Sequence, residues 1–190
     1  DAQDQTRALQ IIPQLTAFRS TRFVVKDVGA GIRYLRFDTF DRRAASWLND
    51  ELKSHHDAPG VILDLRNNPG GQFTSLQRVA RDFFPHGQRL GQFIERAGKN
   101  RNLDTMSFSP ALYGGKVVVL TSERSASCSE ILAHVLQFHR RATVVGQVTA
   151  GAVLGSNRYA LPGGGYIEVA GVDYVGLDGR RLEGVGVTPD

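Results

Sequence analysis

Apolar residues in this chain fall into short runs, and the spacing within the runs changes along its length. Phe23–Lys26 and Ile32–Phe37 alternate apolar and polar side chains and are joined through Gly29-Ala30-Gly31, which predicts a β-hairpin. Ala44–His55 carries Trp47, Leu48 and Leu52 at helical spacing, and Pro59-Gly60 ends that pattern. The run Val61-Ile62-Leu63-Asp64-Leu65 leads at once into Arg66-Asn67-Asn68-Pro69-Gly70-Gly71 and then into a helical pattern over Thr74–Phe84. Val117–Leu120 repeats the plan, with Thr121–Ala126 as the turn and Cys128–His139 as the helix. Short apolar runs that feed helices read as buried parallel strands. In such sheets ligands and chemistry gather beyond the carboxyl ends of the strands, so both turns are expected to face one crevice.

A further apolar strand is expected at Ala142–Val145, followed by a glycine-rich stretch and strands near Leu154–Leu161, Tyr166–Ala170 and Asp173–Leu177. Thr6–Ser20 also has helical character, with Pro13 starting, kinking or ending the helix. The order of elements is mixed α/β, with no internal repeat. The expected organisation is a linker or helix over residues 1–22, belonging to an upstream region, and a core domain over residues 23–190.

Composition narrows the classes. The 190 residues, 41% hydrophobic and 22% charged, make one domain with a core, not a disordered, collagen-like or coiled-coil chain. The stretch Ala142–Asn157 lacks formal charge but is shorter and more polar than the ~20 residues a spanning helix needs, so no integral membrane segment is expected. The net charge is +4, yet the arginines are scattered among acidic residues with no aromatic and basic stripe, which argues for a solvated surface and against nucleic acid as a partner. A single cysteine, Cys128, excludes an internal disulfide framework, and no histidine and carboxylate spacing suggests a metal; no cofactor is expected. Asp1-Ala2-Gln3-Asp4-Gln5 has no signal-peptide profile, which fits a removed leader or a piece of a longer protein.

The sharpest chemical signal is Thr121–Glu130, between a strand and a helix. A hydroxyl at a helix amino terminus sits beside unpaired N–H groups and the positive end of the helix dipole, where a developing oxyanion can be held. Ser127 is therefore a candidate nucleophile. Ser127 and Glu130 also satisfy the S-x-x-E capping box, in which the serine only ties off its own helix, and spacing leaves both readings open. In the other turn, Gly70 and Gly71 permit close backbone approach, and an N–H there could share an oxyanion with the N–H of Cys128. A valine at position 71 is expected to damage activity without unfolding the core.

Leu63–Gly71, then Ser125–Glu130 with Arg141–Gly146, and finally Glu183-Gly184-Val185-Gly186-Val187-Thr188-Pro189-Asp190 together resemble the tail-specific or carboxyl-terminal-processing serine proteases, a family that includes tricorn cores and interphotoreceptor retinoid-binding modules. The resemblance runs from about Gly60 to the end of the chain. It implies the Clp-protease/crotonase-like fold, β-β-α units wound into a superhelix, with Ser127 as nucleophile and a peptide or protein as substrate. It also suggests the bacterial envelope or export. In the Ser-Lys branch a lysine follows in a Thr-Phe-Gly-Lys-Gly-like segment; here Thr149-Ala150-Gly151-Ala152-Val153 has alanine at that place, so a Ser-Lys dyad is not expected. The tricorn-like branch uses Ser, His and Glu, and Glu183 is similar to its glutamate, which orients the histidine while staying charged.

The base is missing from this pattern. His134 lies seven residues beyond Ser127, about 10 Å along a helix and out of bonding reach, and His139 is farther. His55 and His56 fall at the wrong end of the sheet, and only His86 survives the spacing test. The expectation is a histidine from an upstream segment, with a PDZ domain a possible neighbour there, and little activity in the isolated core. The rival is a catalytically inactive module of the same fold that binds a peptide or an apolar ligand.

Overall fold

The computed structural model describes residues 22–84, 87–96, 98–105 and 113–190; the helical pattern over Thr6–Ser20 and the candidate His86 lie outside them. Strands β1 (Phe23–Asp27) and β2 (Arg33–Phe37) pair antiparallel, with Phe23 opposite Phe37. Gly29, Ala30 and Gly31 all take positive φ in the turn between them, which explains the two glycines. Helix α1 (Arg42–Ser54) starts earlier than its apolar pattern because the Asp41 carboxylate accepts the Ala44 N–H at 2.7 Å, a side-chain N-cap. Then follow β3 (Gly60–Asp64), α2 (Phe73–Phe83), β4 (Arg89–Glu95), β5 (Asn100–Asp104), β6 (Lys116–Thr121), α3 (Cys128–Phe138), β7 (Thr143–Gly146), β8 (Gly155–Ala160) and β9 (Tyr166–Val175).

Two sheets result, ordered β1-β2-β3-β6-β7 and β5-β4-β9-β8. From β2 to β7 the first is parallel, and its register lines up Leu35, Leu63, Val119 and Val144 in one row. All four are fully buried in one cluster with Leu48 and Leu52 of α1, Leu76 and Val79 of α2, and Ile131, Leu132 and Leu136 of α3. The alternate row, Ile62, Val118 and Thr143, is only half-buried to exposed. The continuous apolar runs therefore do not mean burial on both faces; among the described residues the helices cover one face of this sheet. Helix α3 is buried at every position from Cys128 to Leu136 and forms the centre of the molecule.

The second sheet departs from the sequence pattern. Strands β4 and β5 are not signalled, because Gly91 interrupts the alternation at a bulge and β5 buries only Leu103. Gly91 has φ +137°, and the Tyr174 ring packs where its Cβ would stand, with the phenol donating to the Leu90 carbonyl at 2.6 Å. The expected breaks in Tyr166–Leu177 do not occur, since β9 runs unbroken through Gly171. The register does shift there: Gly155 and Ser156 of β8 face Val172 and Ala170, which leaves Gly171 of β9 as the extra residue of a bulge inside the continuous strand.

Between α1 and α2 the carboxyl group of Asp82 is fully buried, with one oxygen accepting from Asn49 at 3.0 Å and the other without a hydrogen bond among the described residues. Burial raises its pKa from 3.8 to about 6, against weaker opposing pulls from Asn49 and Arg81. The folded chain thus holds this proton more tightly than the unfolded one. The contribution to stability is complete below about pH 4 and is lost as pH rises through about 6. Asp82→Asn is expected to raise unfolding free energy at pH 7.5 by about 1–3 kcal/mol and to give no gain at pH 4, as read by urea denaturation at both values.

Candidate active site

The carboxyl ends of β3 and β6 deliver two turns that lock together. Ser125 Oγ donates to the Leu65 carbonyl at 2.8 Å, Ser129 Oγ to the Asn68 carbonyl at 2.8 Å, and Ser122 Oγ to the Arg66 carbonyl. Asn68 is itself fully buried, and its side chain bonds the Phe37 carbonyl and the Gly70 N–H, each at 2.9 Å. At the root of the turn Asp64 accepts from Tyr34 Oη at 2.5 Å and from the Arg66 guanidinium at 2.8 Å. Burial pushes the Asp64 pKa up, but the bonds from Arg66 and Tyr34 outweigh it and hold the carboxyl below its usual range.

Ser127, unlike its neighbours Ser125 and Ser129, is not buried. Its backbone has φ +54° and ψ −118°, a conformation that costs a non-glycine residue on the order of 1–3 kcal/mol. Both partners of the capping box are in place, yet only one half is a full hydrogen bond. The Glu130 carboxylate accepts the Ser127 N–H at 3.0 Å, whereas the Ser127 hydroxyl makes no cap bond and the Glu130 N–H goes to the Ser127 carbonyl at 3.0 Å. Glycine at position 70 is required here: with φ +99°, a Cβ there would stand 2.6 Å from Ser127 Cβ and 3.0 Å from the Cys128 nitrogen.

The two glycines divide the work. The Gly70 N–H donates to Asn68 Oδ1 at 2.9 Å, so Gly70 serves the close approach and its N–H is not the open donor of this turn. Among the described residues no hydrogen bond occupies the N–H of Gly71 or that of Cys128. A valine at position 71 would collide with the Phe40 backbone across the Phe40–Gly71 bridge, so it would disturb the fold as well as the donor, contrary to expectation. Cys128 is buried, its thiol donates to the Gly71 carbonyl at 3.3 Å, and burial pushes its pKa up to about 12. Such a thiol is a packing group, not a nucleophile.

Glu130 is fully buried and accepts four donors: Thr149 Oγ1 at 2.6 Å and the N–H groups of Gly151, Ala152 and Ser127 at 2.7, 2.9 and 3.0 Å. These satisfy its charge and fasten residues 149–152 beside the serine. The Ala152 carbonyl also accepts the Ser127 N–H at 2.9 Å, so the residue at the lysine place of the Ser-Lys branch lies next to the serine and offers only a methyl group. Glu183 is half-buried; its Oε2 accepts the N–H groups of Val153 and Leu154 at 2.7 and 3.2 Å, and Oε1 has no hydrogen bond among the described residues. Glu183 thus clamps the same loop from the other side.

No described histidine bonds Ser127. His134 is buried on α3 with Nε2 3.5 Å from Asp178, and burial lowers its pKa. His55 and His56 face carbonyls at the end of α1, and His139 meets Gln88. Among the described residues no group of histidine, cysteine and carboxylate side chains is arranged to hold a metal ion, and no helix is long and apolar enough to cross a membrane. Spacing in the sequence missed Asn68 as the hub of the glycine turn and Glu130 as more than a cap. An asparagine just before Pro-Gly-Gly is the signal that was available for the first.

Ser127 thus stands at a helix amino terminus with positive φ, against a glycine turn, and the N–H groups of Gly71 and Cys128 carry no hydrogen bond among the described residues; backbone donors left open in this way are a means of holding an oxyanion. Residues 31–190 match the model of peptidase family S41, and the chain belongs to that family. It is 30% identical to the carboxy-terminal-processing protease of Bartonella bacilliformis over 200 residues, 98% of this chain and 44% of that protein. In structure it is similar to the photosystem II D1 C-terminal processing protease, with TM-score 0.74 and 26% identity over 97% of this chain and 50% of that one. The tricorn protease shares the fold, with TM-score 0.53 and 20% identity over 84% of this chain and 15% of that one. These likenesses fit the Clp-protease/crotonase-like fold. The chain spans less than half the length of that curated relative.

Replacing one oxygen of the four-donor carboxylate tests its part in this assembly. Glu130→Gln turns an NH₂ toward N–H donors and is expected to cost about 2–4 kcal/mol in urea unfolding, with faster amide exchange across residues 149–152.

Proposed function

We propose that this chain is the core of a serine peptidase that cleaves polypeptide substrates through an acyl-enzyme on Ser127. The reading rests on one observation: Ser127 is held at positive φ beside the unoccupied N–H groups of Gly71 and Cys128 while its hydroxyl makes no cap bond. Ser127 Oγ attacks the scissile carbonyl, the two amides hold the oxyanion, and a histidine takes the serine proton and returns it to the leaving amine. Among the described residues no base lies against Ser127, and the matched relatives are about twice as long, so we place the histidine in an upstream segment, next to any PDZ domain. The free Oε1 of Glu183 is the oxygen that would receive the imidazole N–H, while Oε2 keeps its backbone bonds. The substrate approaches as an extended peptide, through backbone hydrogen bonds to a strand. The likeness to carboxyl-terminal-processing proteases, among them a bacterial one, is what supports our reading that this chain works in the bacterial envelope or is exported.

A fluorophosphonate probe applied to the full-length protein is expected to label Ser127, with no labelling in Ser127→Ala and loss of peptide turnover in the same variant. A full-length protein whose Ser127 stays unlabelled would instead be the binding module of the same fold.

A further inference from the structure

Ser122, Ser125 and Ser129 lie two to five residues from Ser127 in the same turn, and the chemistry proposed above uses none of them. Their hydroxyls do one thing in common. Each crosses from the serine turn to a main-chain carbonyl of the glycine turn: Ser122 to Arg66, Ser125 to Leu65 and Ser129 to Asn68. Ser125 and Ser129 are fully buried, so water cannot replace either bond. The Asn68 carbonyl receives the Ala126 N–H at 3.1 Å as well, and the Asn68 side chain holds Gly70. Ser129 therefore grips the residue that shapes the glycine corner, from the first turn of the helix whose N-cap is Ser127.

A hydroxyl is also the group this interface needs. Carbonyls at the end of β3 point at the serine turn, and each must find a donor once buried. Small side chains that carry a donor allow the two backbones to approach as closely as the Gly70–Ser127 contact demands. Alanine would keep the size and lose the tie.

We infer that Ser125 and Ser129 are positioning residues, which set the distance from the Ser127 hydroxyl to the Gly71 amide by tying the two turns together. The inference rests on the peptidase reading of this site. Displacement of reacting groups by about 1 Å can lower a rate on the order of 100-fold, so the ties act on chemistry far more than on substrate binding.

The test uses full-length protein, a fluorophosphonate probe and a peptide substrate. Ser129→Ala and, independently, Ser125→Ala are expected to lower kcat and the labelling rate constant about 10- to 100-fold with KM within about twofold, while saturating label still reaches one per folded chain. Amide exchange across residues 68–71 is expected to quicken. Leu48→Ala, a core change on α1, controls for stability: it lowers Tm but leaves the labelling rate per folded chain unchanged. Wild-type labelling rates in both serine variants, or a loss confined to the number of labelled chains, would overturn the positioning role. No labelling of the wild-type protein would overturn the peptidase reading and this inference with it.

Discussion

The close approach of two backbones at Gly70 and Ser127 is the constraint on which the site depends. No side chain fits between them at position 70, and the turn must hold positive φ there. Once the turns meet, their buried carbonyls need donors, and the serines flanking Ser127 supply them. The strain at Ser127 persists because bonds on every side over-determine its place: Glu130 and Ala152 on its N–H, and the Asn68 hub across the gap. A helix cap alone would not require such a conformation.

Charge is handled by the same assembly. Glu130 draws four donors into the interior and so joins the serine helix to residues 149–152, while Glu183 holds the next two residues of that loop. The segment Gly184–Val187 then closes over it, with Gly184 bonded to Gly151 and Val187 to Thr149. Three stretches far apart in the chain are thus bonded into one frame around Ser127, which is only half-buried. Membership of peptidase family S41 and the likeness to processing proteases fit such a frame.

Much of this was legible beforehand, for definite reasons. Repeated strand-turn-helix runs announced the parallel strands and put Asn68–Gly71 and Ser125–Glu130 at the same end of the sheet, since period and turn chemistry are local properties. Burial on one face only, the β4–β5 pair and the unbroken β9 were not legible, because they depend on what packs against them: Gly91 looks like a break until Tyr174 fills its space. The same holds within the site. Sequence pointed to an N–H of Gly70 or Gly71 as a candidate donor without choosing between them, and only the fold shows Asn68 occupying the Gly70 amide and no hydrogen bond on that of Gly71 among the described residues. Glu130 read as a local cap, and its three partners beyond position 148 are tertiary facts.

A crystal structure of the full-length protein carrying a peptide boronic acid on Ser127 would bear most directly on the central point. One boronate oxygen is expected within about 3 Å of both the Gly71 and Cys128 nitrogens, with the two turns unmoved. A boronate turned to solvent, or held by groups other than these two amides, would contradict the assignment of the facing turns as the catalytic centre.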